Sequence, residues 1–96
     1  MQREYELVLV LNPEVTDERL PEVVERYSQM IAAQGGAVTA CNPWGRRRLA
    51  YPIQRFLEGH YVRTQFTIEP KATAALEANL RLSEDVLRHL LVRLGD

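Results

Sequence analysis

The residues from Trp44 to Tyr61, WGRRRLAYPIQRFLEGHY, hold the densest chemistry in the chain. Three consecutive arginines, Arg46, Arg47 and Arg48, follow a tryptophan, and Arg55 adds a fourth before Glu58-Gly59. Guanidinium groups match phosphate oxygens in bidentate fashion and stack on bases, so clustered arginine interleaved with rings suits a nucleic-acid contact. The same residues would also serve as the solvated face of an ordinary hairpin, and their types alone leave both readings open.

Charge distribution sharpens the first reading. The formal net charge is only −1, where a basic domain is the usual sign of nucleic-acid binding. From Arg46 to Arg63, however, five arginines (Arg46, Arg47, Arg48, Arg55, Arg63) face one acid, Glu58, for a local +4, while the remainder carries −5. A basic patch on a mildly acidic body fits a protein that meets phosphate at one place and is held elsewhere by other contacts.

Other chemistry is sparse. Cys41, His60 and His89 are the only candidate nucleophile and bases, and their spacing suggests neither a triad nor a zinc set. Cys41 reads as a small, buried or half-buried apolar residue. Glu4 and Glu6 share a strand face and could be imagined as paired carboxylates, but two solvated acids explain them as well. Gly35-Gly36 follows a helix rather than opening one, so it does not cradle a phosphate. No cofactor is implied.

The 96 residues amount to 11.0 kDa, 46% hydrophobic and 26% charged, which fits residues 1–96 as one folded domain with no visible linker. No apolar run approaches the roughly 18 residues of a membrane span, and Gln2-Arg3-Glu4 is no signal segment. The expected location is the cytoplasm.

The elements that must position the arginines follow from periodicity. Arg3 to Leu11 alternates as a strand, with Tyr5, Leu7, Leu9 and Leu11 on a core face and Glu4, Glu6, Val8 and Val10 on a half-exposed one. Asn12-Pro13 breaks it. Thr16 or Asp17 caps a helix beginning near Arg19, just ahead of Pro21, and running to about Gln34 with Leu20, Val23, Val24, Tyr27 and Ile31 on one stripe. Gly35-Gly36 supplies its left-handed cap. Ala37 to Ile53 is again extended, with Val38, Leu49, Tyr51 and Ile53 on the apolar face and a bulge at Pro43-Trp44-Gly45. Two prolines, Pro43 and Pro52, place it at a sheet edge. Fully extended, it would span roughly 55 Å at about 3.3 Å per residue, so it must bend or project. Gln54 to Glu58 reads as the loop and Gly59 to Ile68 as the returning strand. Pro70 opens a second helix with Ala72, Ala75, Leu76 and Leu80 on its apolar side, and Val86 to Leu94 is the last strand.

The order β, α, β, β, α, β predicts an α+β, ferredoxin-like βαββαβ fold, a four-stranded antiparallel sheet with two helices on one face. Its first and third strands are central and its second an edge. The open face carries Glu6, Val8, Val10, Tyr61, Arg63 and Gln65.

Trp44-Gly45-Arg46-Arg47-Arg48-Leu49-Ala50-Tyr51-Pro52-Ile53 followed by Gly59-His60-Tyr61 resembles the bacterial small-subunit ribosomal protein S6 family. Tyr5-Glu6, Asn12-Pro13, Gly35-Gly36, Leu80-Arg81 and Val86-Leu87-Arg88 extend the resemblance across nearly the whole chain in the right order. It implies a ribosome-associated, non-catalytic protein that binds small-subunit ribosomal RNA in the platform together with a small basic protein, ribosomal protein eighteen of the small subunit. By the same resemblance Arg46, Arg47 and Arg48 lie at the RNA and partner surface, with Trp44, Arg55, Arg3, Arg81 and Arg88 as further candidates. The sequence stops at Asp96, without the longer acidic tail of some members, and Lys71 is its only lysine.

Three other readings are weaker. An RNA-recognition module shares the element order but needs aromatics on both central strands, and the first strand offers Glu6, Val8 and Val10. An enzyme lacks a constellation. A domain dimerising through its open sheet face is permitted by Val8 and Val10, though arginines on an edge strand discourage pairing with another copy. Trp44 either stacks on a base or partner or folds back over the bulge. Tyr51, beside Leu49 and Ile53, reads as core, as do Tyr5 and Tyr27.

Overall fold

The computed structural model describes residues 1–95; Asp96 lies outside the described residues. β1 (Arg3–Leu11) buries Tyr5, Leu7, Leu9 and Leu11 on one face, as its alternation requires. α1 spans Leu20–Ala33 and buries Val23, Tyr27 and Ile31. Thr16 shapes its approach, accepting the Arg19 amide on Oγ1 at 3.3 Å, and Pro21 sits in the first turn where a missing donor costs nothing. Gly35, at φ 85°, closes the helix.

β2 (Ala37–Ile53) and β3 (Phe56–Ile68) form a long antiparallel hairpin. A three-residue 3-10 turn at Pro70–Ala72 leads into α2 (Thr73–Leu82), and β4 (Val86–Arg93) ends the fold. The strands are ordered β2-β3-β1-β4, every pair antiparallel, so the first and third are central and the two-proline strand is an edge. Val23, Tyr27 and Ile31 of α1 and Leu76 and Leu80 of α2 share one core with Leu7, Leu9, Val62, Phe66 and Ile68, so both helices cover the same face. Each large side chain buried there contributes about 1.5–3 kcal/mol of hydrophobic stabilisation. This is the ferredoxin-like βαββαβ arrangement.

The long axis of the molecule is 39 Å, so the 17 residues of β2 do bend. Register shifts occur between Val38 and Ala40, between Pro43 and Gly45, and between Arg48 and Ile53. The last is the largest, because Leu49 to Pro52 stand opposite the single residue Leu57. Pro52 has no amide to offer a ladder, and this is where the ladder is interrupted.

Several sequence expectations change. The connection is not a five-residue loop: Ile53 pairs with Phe56 and the turn is Gln54-Arg55, with Gln54 at φ 58°. A positive φ at the first turn residue gives the twist that two-residue hairpins need, and the backbone accepts it even without glycine. Tyr51 is not core but 57% exposed, because it lies with Leu49 and Ile53 over the open face of the sheet rather than in the core beneath the helices. Val38 lies exposed near the start of β2, and Ala75 is exposed on α2. Val10, expected half-exposed, is buried on the open face.

Candidate nucleic-acid interface

The arginine run does not present three guanidinium groups in one direction. Arg46 pairs with His60, Arg47 with Gly59 and Arg48 with Glu58 across the β2–β3 ladder. His60 is buried toward the helices, so the period of two directs Arg46 and Arg48 to the helix side and Arg47 to the open side. All three are exposed. Arg46 Nη1 donates to Glu58 Oε1 at 3.1 Å, and Arg55 stands 3.9 Å from Glu14 with its guanidinium 5.0 Å from the centroid of the Phe56 ring. The Arg47 and Arg48 side chains have no hydrogen-bond or ion-pair partner among the described residues. Surface pairs like those of Arg46 and Arg55 are worth about 0–1 kcal/mol, so exchanging the carboxylate for another anion would cost little.

Trp44 folds back onto the open face and stacks on Tyr61, with centroids 6.5 Å apart and planes 12° from parallel. Its ring stays 45% exposed. Gly45, at φ 85°, makes the fold-back possible, since a side chain there would be strained. The tryptophan therefore satisfies the hairpin-covering expectation on one side and leaves ring surface available.

The remaining predicted arginines are dispersed. Arg88 lies on β4 opposite Val10, on the open face, where its Nη1 donates to the Tyr51 hydroxyl at 2.7 Å. Arg81 sits in the last turn of α2, in the helical layer. Arg3 pairs with Ile68, at the end of the sheet away from Leu11 and His60, and so apart from the hairpin. Arg63, also on the open face, is held by Glu6 in a short ion pair that accounts for one of the two strand carboxylates.

Sequence reasoning missed the role of His60. Its side chain is 1% exposed, and Nε2 lies 2.7 Å from the Val15 carbonyl. A carbonyl only accepts, so Nε2 carries the proton and Nδ1 is left buried without a partner. Arg46 Nη2, 3.4 Å from the same nitrogen, faces a donor rather than an acceptor. His60 thus ties the segment after β1 to the base of the hairpin. Its only sequence signal is its place beside Gly59, in a strand whose neighbouring inward positions are apolar.

The three residues considered for catalysis are separately engaged. Cys41 is half-buried and accepts from Thr64 Oγ1 on Sγ at 3.8 Å, His60 serves Val15, and His89 Nε2 lies 3.1 Å from Glu77 Oε1. Among the described residues no group of three or more His, Cys, Asp or Glu is placed to hold a metal ion. No helix among them is long and apolar enough to cross a membrane.

Comparison with known proteins bears on the fold and the family. A family model described as Ribosomal protein S6 matches residues 4–93. The small ribosomal subunit protein bS6 of Moorella thermoacetica is 41% identical over 94 residues, spanning 98% of this chain and 96% of the relative. That of Gloeobacter violaceus is 41% identical over 96 residues and covers both chains fully. The crystal structure of 30S ribosomal protein S6 from Thermotoga maritima superposes with a TM-score of 0.89 at 28% identity, covering 97% of this chain and 88% of that one. With sequence, length and fold in agreement, the chain belongs to the ribosomal protein S6 family of the small ribosomal subunit.

Proposed function

We propose that the protein is a non-catalytic structural constituent of the small subunit that binds platform ribosomal RNA together with ribosomal protein eighteen of the small subunit. The observation that carries this reading is the pair Arg47 and Arg48: consecutive, exposed, without side-chain partners among the described residues, and directed to opposite sides of an edge strand. An edge hairpin charged on both sides meets two partners at once, an RNA backbone on one side and a protein on the other. Arg46 and Arg55 add charge once their loose carboxylate contacts exchange. Trp44 offers its free ring surface to the same assembly. Phosphate contacts supply salt-dependent affinity, while the shape of the folded RNA and the partner supply specificity. Arg3 and Arg81, set apart from the hairpin, are peripheral contacts.

The test is binding to a small-subunit rRNA platform fragment across a salt series, with and without the partner protein. Affinity is expected to require the partner and to fall steeply with salt. Arg47→Ala/Arg48→Ala lowers the log–log salt slope by about one for each phosphate that is no longer neutralised. Unchanged affinity and slope in that variant would remove the hairpin from the interface.

A further inference from the structure

The hairpin that carries the arginines is also held down. After Arg48 the bulge at Leu49 to Pro52 turns β2 away from its ladder with β3 and lays it over the open face of the sheet. There Leu49, Tyr51 and Ile53 enclose a cleft of about 230 Å³ with Val10, Tyr61 and Leu90. Leu49 is 8% exposed although Arg46, Arg47 and Arg48 immediately before it are all exposed, so burial of β2 on the open face begins with the bulge. Tyr51 starts on the β2 edge and reaches Arg88 on β4, the opposite edge, crossing β3 and β1. The Arg88–Tyr51 hydrogen bond, 37 residues apart in sequence, is the polar contact that closes this strap.

From this we infer that Arg88 and Tyr51 form a clasp that orients the arginine hairpin, so that Arg88 is a positioning residue rather than a phosphate contact. The inference rests on the RNA-binding reading for its functional consequence, and on geometry alone for the clasp. Arg88 reaches Tyr51 with one fork nitrogen and stands over the apolar floor made by Val10 and Leu90. Three residues upstream of Tyr51, Arg48 is the last paired residue before the bulge, so the clasp holds down the segment that continues directly from the arginines, whose own sides the ladder sets. Without the clasp, Leu49 is the one buried side chain left to hold the bulge down.

The test uses the full chain with Tyr51→Phe, which removes the acceptor without altering charge or volume, and with Arg88→Ala. Two readouts are taken: amide hydrogen exchange at residues 49–53, and binding to the platform rRNA fragment with the partner protein across a salt series. Each variant is expected to raise exchange at 49–53 selectively, leaving the core strands protected. Each also weakens binding about three- to tenfold, the range for removal of one hydrogen bond. The double variant is no weaker than the worse single, and the salt slope stays at its unsubstituted value. A slope lowered by about one in Arg88→Ala, with Tyr51→Phe binding normally, would make Arg88 a direct phosphate contact and overturn the inference. Unchanged exchange in both variants overturns the clasp itself. If the unsubstituted chain binds no RNA, the function proposed above fails, while the exchange measurement still decides the clasp.

Discussion

Replacing Gly59 with alanine would place a methyl carbon 2.7 Å from Val10 Cγ1 and 2.9 Å from the Leu11 carbonyl oxygen. Carbon atoms are comfortable at about 3.5–4.0 Å, so the first contact is short by roughly 1 Å and lies on the repulsive wall. Val10 cannot swing away easily. It is β-branched and therefore stiff at χ1, and at 5% exposure it is enclosed beneath the strap. Nor can the oxygen move, since it belongs to the backbone of a central strand whose Leu11 side chain is fully buried. The hairpin must back away from β1, loosening the His60–Val15 tie beside it. Overpacking of this kind costs about 1–3 kcal/mol. For a domain of this size each kcal/mol moves Tm by about 4–8 °C, so a mid-range loss of about 2 kcal/mol lowers it by about 8–16 °C. Urea denaturation followed by circular dichroism measures the loss as a lower midpoint at constant m. Val10→Ala in the same chain relieves the first contact but not the second, so the pair should be less destabilised than the sum of its singles. A change of less than about 0.5 kcal/mol in Gly59→Ala, the range of a neutral surface substitution, refutes the close approach.

Two further outcomes follow from buried polar groups. His60→Phe leaves the Val15 carbonyl without its donor and is expected to cost about 1–3 kcal/mol by equilibrium unfolding, a neutral result meaning that the tie is dispensable. Burial raises the Tyr27 phenol above its ordinary value of 10.0, against a smaller opposing effect of the Ser83 hydrogen bond. A raised native value keeps its contribution to stability whole below pH 10.0 and loses it as pH climbs from there through the native value. Urea midpoints should therefore fall on the alkaline side, and Tyr27→Phe should flatten that fall; an unaltered profile would place the alkaline loss elsewhere.

Where local periodicity is strong, the sequence reads through to the structure. The alternation of β1, the amphipathic stripe of α1 and the inward set Val62, Thr64, Phe66 and Ile68 of β3 all fall where residue type puts them. The edge position of β2 follows from its two prolines. At its end the pattern fails, because a bulge of several residues has no local signature beyond Pro52. The bulge shortens the expected loop to a two-residue turn, and the side that Tyr51 shares with Leu49 and Ile53 lies over the open face rather than in the core.

The candidate site divides in the same way. Local +4 charge, the arginine run and its neighbouring tryptophan are properties of covalent order, and the sequence by itself determined where the basic patch proposed to meet phosphate lies along the chain. Which way each arginine faces was decided by pairing, since Arg46, Arg47 and Arg48 take their sides from His60, Gly59 and Glu58 across the ladder. That Arg88 serves Tyr51, that Trp44 lies on Tyr61 and that His60 holds Val15 depend on residues 17 to 45 positions apart brought within contact distance. Such contacts exist only after the sheet has set its register, so no local pattern can announce them.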